Sequence, residues 1–127
     1  IPGSHKLIFT ASAHHAQTMG SLVLLDPGAG TEEPGPMTRL TPEVPFPEIE
    51  GWPRAFYANP WPLSERTHLV AWGLEEKMRE GTQRPVNGMG LYLFNADSGR
   101  ELLYRDPEIS CFHPIPLVPR PASPVES

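Results

Sequence analysis

The sequence predicts an all-β fold of short antiparallel strands, and three observations lead there. Seventeen prolines in 127 residues far exceed the usual share of about 5%. A proline removes a backbone donor and fixes φ, which suits turns and strand ends and penalises helix interiors. Apolar residues come in short runs bounded by Gly, Pro, Asn and Asp, the punctuation of strands rather than of helices. The order of those runs also repeats along the chain.

The first unit opens with His5-Lys6-Leu7-Ile8-Phe9-Thr10-Ala11, a β-prone run predicted as a strand over 5–11. A polar loop leads to Met19-Gly20-Ser21-Leu22-Val23-Leu24-Leu25-Asp26, a strand over 20–26, and a Pro/Gly turn to Met37-Thr38-Arg39-Leu40-Thr41, a strand over 37–41. After a strand over 55–61 the order returns. Thr67-His68-Leu69-Val70-Ala71-Trp72 is answered by Met89-Gly90-Leu91-Tyr92-Leu93-Phe94-Asn95, the turn Asp97-Ser98-Gly99 and Arg100-Glu101-Leu102-Leu103-Tyr104. These predict strands over 67–72, 90–95 and 100–105. The connectors repeat too: Pro42-Glu43-Val44 matches Pro107-Glu108-Ile109, and Asn59-Pro60-Trp61-Pro62-Leu63 matches His113-Pro114-Ile115-Pro116-Leu117.

Four short strands per unit, in the order inner, two apolar middle, outer, describe antiparallel four-stranded blades of a partial β-propeller of about two blades. The middle runs are nearly continuous in apolar residues, which fits sheets covered on both faces. The outer runs mix Arg39, Thr41, Arg100, Glu101 and Arg105 with leucines, as an edge that must resist pairing should. The expected division is a partial propeller over 1–118, with blade one at 4–41 lacking its inner strand, blade two at 55–105 and the inner strand of a third at 111–118. A Pro-rich tail, 119–127, is expected to be disordered. Unpaired inner and outer edges predict association with further blades, a partner protein or a second copy.

Composition narrows the function. The net charge is −5 and the ten Lys and Arg are scattered, so nucleic-acid and anionic-membrane binding lose support. No apolar run approaches the roughly 20 residues that span a bilayer, and no transmembrane segment or signal peptide is expected. The single cysteine, Cys111, excludes an internal disulfide and a four-cysteine zinc site. No Gly-x-Ser-x-Gly, phosphate-loop, His-Glu-x-x-His or EF-hand signature occurs, so no catalytic residue is assigned.

The strongest constellation is His14-His15, in the loop joining two middle strands. In a four-stranded meander that loop shares an end with the outer-to-inner connectors, which carry Glu43, Glu48, Glu50, Asp106 and Glu108, and with Cys111-Phe112-His113. Imidazole and carboxylate there are the donors of a divalent transition metal such as zinc. The expected set is His14, His15, Glu43, Glu108 and His113. Histidines that pack or hydrogen-bond in a structured loop are the plainer alternative. Trp52, Trp61 and Trp72 with Phe56 and Tyr57 read better as filling between blades than as a carbohydrate strip. His5 and His68 are expected to face solvent, Cys111 to be a small apolar residue, and Glu75-Glu76-Lys77-Met78-Arg79-Glu80 to lie in a solvated loop ending at Asn87-Gly88.

Three segments carry a resemblance: Phe9-Thr10-Ala11-Ser12-Ala13-His14-His15, Leu40-Thr41-Pro42-Glu43-Val44-Pro45-Phe46-Pro47-Glu48 and Leu103-Tyr104-Arg105-Asp106-Pro107-Glu108-Ile109. Over most of 1–121 the chain resembles the bacterial family related to the middle domain of the hydrazine synthase alpha subunit, which has TolB-like propeller repeats. That resemblance implies a propeller and an exported, periplasmic bacterial protein. The Cys-x-x-Cys-His site of a covalent haem is absent, so hydrazine formation does not carry over. The function expected is a non-catalytic propeller segment acting as scaffold or protein-interaction module, with a metal-binding or redox-associated module as the alternative.

Overall fold

A computed structural model describes residues 1–16, 19–32, 35–74 and 88–122. It shows seven strands: β1 (Leu7–Ala11), β2 (Ser21–Leu25), β3 (Met37–Arg39), β4 (Ala55–Pro62), β5 (Thr67–Leu74), β6 (Gly90–Asn95) and β7 (Gly99–Tyr104). The helical content among the described residues is a 3-10 turn, Pro27–Ala29. All seven lie within a residue or two of the expected runs.

The strands form two antiparallel sheets, β1-β2-β3 and β4-β5-β6-β7, each joining strands adjacent in sequence. In the larger sheet Tyr57 pairs with Trp72, Val70 with Tyr92 and His68 with Phe94. Directly opposed residues share a face, so this row points one way. It buries Tyr57, Val70, Trp72, Tyr92 and Phe94 together with Leu22 of β2 and Val44 of the β3–β4 connector. Each large side chain so buried contributes on the order of 1.5–3 kcal/mol. The opposite face carries Phe56, Ala58 and Ala71, which pack with Met19 and Met89.

Where the sheets meet, Gly20 and Tyr57 exchange backbone hydrogen bonds, both 2.8 Å long. A Cβ on Gly20 would stand 2.0 Å from the Ala11 carbonyl oxygen, so only glycine permits the approach. At the other end Ser4 Oγ donates to Glu65 (2.6 Å) and Lys6 Nζ pairs with the same carboxylate (3.1 Å), tying the start of β1 to the β4–β5 turn. These contacts hold the Glu65 carboxyl below its ordinary pKa, the Ser4 hydrogen bond most of all and the Lys6 one next.

β2 is buried along nearly its whole length, whereas β6 alternates buried and half-buried. β2 thus has cover on both faces; β6 has it on one. Two expectations need correction. Residues 111–118 form no strand: Pro114 and Pro116 offer no N–H, and no described strand runs alongside to pair with them. The segment instead lies extended against the larger sheet, where Cys111 N donates to Met89 O (2.9 Å) and His113 N to Asn59 Oδ1 (3.3 Å). His68 is fully buried rather than solvent-facing, stacked on Phe94 with centroids 6.4 Å apart. The charged stretch 75–80, Asn87 and the end of the tail, 123–127, lie outside the described residues.

Candidate functional site

The β1–β2 loop, the β3–β4 connector and the segment after β7 lie at one end of the sheets. β4 starts beside Gly20, β5 ends opposite that start (Ala55 against Leu74), and β7 ends opposite the start of β6 (Tyr104 against Leu91). Arg39 organises the connector. Its Nη1 and Nη2 donate to the two Glu50 carboxylate oxygens at 2.9 Å each, Nη2 also reaches Val44 O at 3.0 Å, and the guanidinium lies 4.0 Å above the Phe46 ring. Bidentate charge-assisted bonds of this kind fix geometry as well as charge. The Arg39 hydrogen bonds, followed by the Phe46 amide, hold the Glu50 carboxyl below its usual pKa.

The connector walls a cavity of about 420 Å³ lined by Glu43, Val44, Pro45, Trp52, Arg54, Ala55, Trp72 and Arg100. Arg100 lies 3.7 Å over the Trp72 ring and donates from Nη1 to Tyr57 Oη at 3.1 Å. Burial pushes the Tyr57 phenol above its ordinary pKa, and the Arg100 hydrogen bond opposes that shift. Trp72 meets Tyr92 edge to face at 5.3 Å, and its buried Nε1 has no hydrogen-bond partner among the described residues. Indole faces, two guanidinia and one carboxylate suit binding of a flat or anionic group. Among the described residues that line it there is no hydroxyl, thiol or imidazole.

Of the five residues expected to hold a metal, His14 and His15 stand together and the other three lie on different segments. His15 donates its backbone N–H to Glu48 Oε1 at 3.0 Å and pairs with it through Nδ1, while His14 packs edge-on against His15 at 4.7 Å. Glu43 lines the cavity. Glu108 sits in a turn where its amide donates to Asp106 Oδ1 at 2.8 Å. His113 lies on the extended segment with φ of 53°. Among the described residues no group of three or more His, Cys, Asp or Glu side chains is placed to hold a metal ion. His15 and Glu48 are the histidine and carboxylate in contact among the described residues at this end.

Of the aromatics read as filling, Phe56, Tyr57 and Trp72 are buried, whereas Trp52 is 38% exposed at the cavity and Trp61 lies under the Arg120 guanidinium. Sequence reasoning missed Arg100 as part of the cavity, because an arginine on an outer strand reads as an edge guard. No helix among the described residues is long and apolar enough to cross a membrane. No family model, curated protein or solved structure matches the chain.

Proposed function

We propose that the chain is a non-catalytic segment of a β-propeller in a larger bacterial protein, a scaffold that presents the loops at one end of its sheets to a protein partner. One observation supports this above the others: a backbone contact close to the one that joins the two sheets is found beyond them. Tyr57, near the start of β4, exchanges two bonds with Gly20, just before β2; Cys111 N donates a single bond to Met89 O, just before β6 and one position earlier in the repeat. Met19-Gly20 and Met89-Gly90 are equivalent in the repeat, as are Asn59-Pro60 and His113-Pro114. Asn59 and His113 also share a left-handed backbone, φ 50° and 53°, which non-glycine residues seldom adopt. Residues 111–118 therefore sit against the larger sheet much as β4 sits against the smaller one.

Photo-crosslinking tests the scaffold role. A crosslinking residue at His14 or Glu108, both exposed at the loop end, is expected to capture a protein in the native host, and one at Asp97, at the opposite end, is not. Equal capture from both ends, or none, sinks the proposal.

A further inference from the structure

We propose that the cavity between the β3–β4 connector and the larger sheet binds a small zwitterion with a flat apolar body, the size of a free aromatic amino acid, its carboxylate on Arg54 and Arg100 and its ammonium facing Glu43. This does not depend on the propeller reading, because every residue invoked belongs to the described chain. Arg100 opposes Phe94 and Trp72 opposes Tyr57, so both stand on the face that packs with Leu22 of the smaller sheet. No described residue of β1, and none of Phe56, Ala58 and Ala71 on the opposite face, lines the cavity. Adjoining chain at that edge or on that face therefore meets other residues.

The charges point to the ligand. The net charge is −5, so carboxylates outnumber basic groups, and Lys6, Arg39 and Arg66 each pair with one. Arg54, Arg100 and Glu43 line one cavity, yet among the described residues none of the three forms an ion pair. Opposite charges that share a cavity without meeting suit a molecule that carries both. Arg100 is already held, 3.7 Å over the Trp72 ring and with Nη1 on Tyr57 Oη at 3.1 Å, while its other nitrogens have no partner among the described residues. A guanidinium fixed in this way presents its remaining donors to a carboxylate at little further loss of entropy. Burial raises the Tyr57 phenol most, and the Glu43 charge adds to that rise, which puts the Glu43 carboxylate within electrostatic reach of the Arg100–Tyr57 pair.

The rest of the lining sets the body of the ligand. Trp52 is 38% exposed and braced edge to face on Phe56 at 5.5 Å. Its indole offers a flat apolar surface to a ring, and aromatic pairs gain beyond the area they bury. The volume of about 420 Å³ is at the small end of the roughly 300–1,000 Å³ of ligand sites. That admits one amino acid and not a folded partner.

The test is titration calorimetry on the protein at its native length with three probes of one shape: L-phenylalanine, phenylpropanoate, which lacks the ammonium, and phenethylamine, which lacks the carboxylate. L-phenylalanine is expected to bind, and each of the others about ten-fold more weakly, the factor that follows from losing a hydrogen bond between charged groups. Arg54→Gln is expected to weaken L-phenylalanine and phenylpropanoate alike by about ten-fold. Glu43→Gln is expected to weaken L-phenylalanine by a similar factor and to leave phenylpropanoate no weaker. Both side chains are exposed, so the fold should survive either change, and circular dichroism checks that it does. No saturable heat with L-phenylalanine overturns the proposal, and so does binding that persists unchanged in both variants. Equal affinity for L-phenylalanine and phenylpropanoate overturns it too, since Glu43 then has no part in recognition.

Discussion

Gly20 and Tyr57 join the two sheets through a reciprocal pair of backbone hydrogen bonds, N–H to O and O to N–H, at 2.8 Å. The pair lies beside buried Leu22 and Met19, so the contact organises both clusters of the core. Gly20→Ala forces a methyl onto the Ala11 carbonyl. Overpacking of this kind costs roughly 1–3 kcal/mol. The expected result in urea is a lower midpoint with near-wild-type circular dichroism; an unchanged midpoint would mean that the sheets are not held this closely.

His68 makes stability depend on pH. Burial lowers its pKa from the ordinary 6.5, so between the folded and unfolded values the unfolded chain binds more protons. Its contribution is complete above about 6.5 and declines as pH falls toward the lowered folded value. Thermal unfolding should therefore show a midpoint that drops on mild acidification. His68→Gln should flatten that slope; if it does not, other groups govern the acid limb.

Thr41 is buried, and its Oγ1 meets Ser21 Oγ at 2.9 Å and accepts from Leu22 N at 2.8 Å. Thr41→Val keeps the shape and strips the Leu22 N–H of its acceptor, while Ser21 Oγ keeps its 3.1 Å bond to the Thr41 carbonyl. Leaving a buried donor unpaired costs about 1–3 kcal/mol. Denaturant titration is the check, and a neutral result would show that the site relaxes to admit water.

Arg100 opposes the burial that raises the Tyr57 pKa. Arg100→Ala is expected to raise the phenol further, since the deprotonated form loses its cationic partner. Ultraviolet difference absorbance of tyrosinate follows this directly. A lower apparent pKa would show that water fills the vacated space and outweighs the lost charge.

The Arg39–Glu50 fork is tested by Arg39→Lys. Lysine keeps the charge but cannot make the two parallel bonds or lie flat on Phe46. Exchange of the Phe46 amide, which donates to Glu50 Oε2 at 2.9 Å, is expected to speed up several-fold; unchanged protection would mean the connector stands without the fork.

The strands were legible because short apolar runs end in turn residues, as in Leu22–Leu25 before Asp26-Pro27-Gly28. The burial of His68 was missed by treating histidine as polar, although a period of two already puts His68, Val70 and Trp72 on one face. Residues 111–118 have strand-like composition, but a ladder needs a neighbour and composition does not supply one. The cavity and the scattered His and Glu positions depend on how loops from different strands fold back, and linear spacing does not encode that. His15 meets Glu48, thirty-three positions away, through a loop and a connector that share no ladder.

Every ladder in both sheets joins strands that follow each other in sequence, and this bears on how fast the chain folds. The entropy of closing a loop grows only slowly with its length, and isolated hairpins form in about 1–10 μs. The slow step is then the meeting of two preformed sheets at Gly20 and Tyr57, the non-local event that buries Leu22 against Tyr57. Stopped-flow folding should accordingly be slowed by Gly20→Ala, while a substitution at the Asp97-Ser98-Gly99 turn should act mainly on unfolding. The reverse pattern would place the kinetic barrier within a sheet instead of between the two.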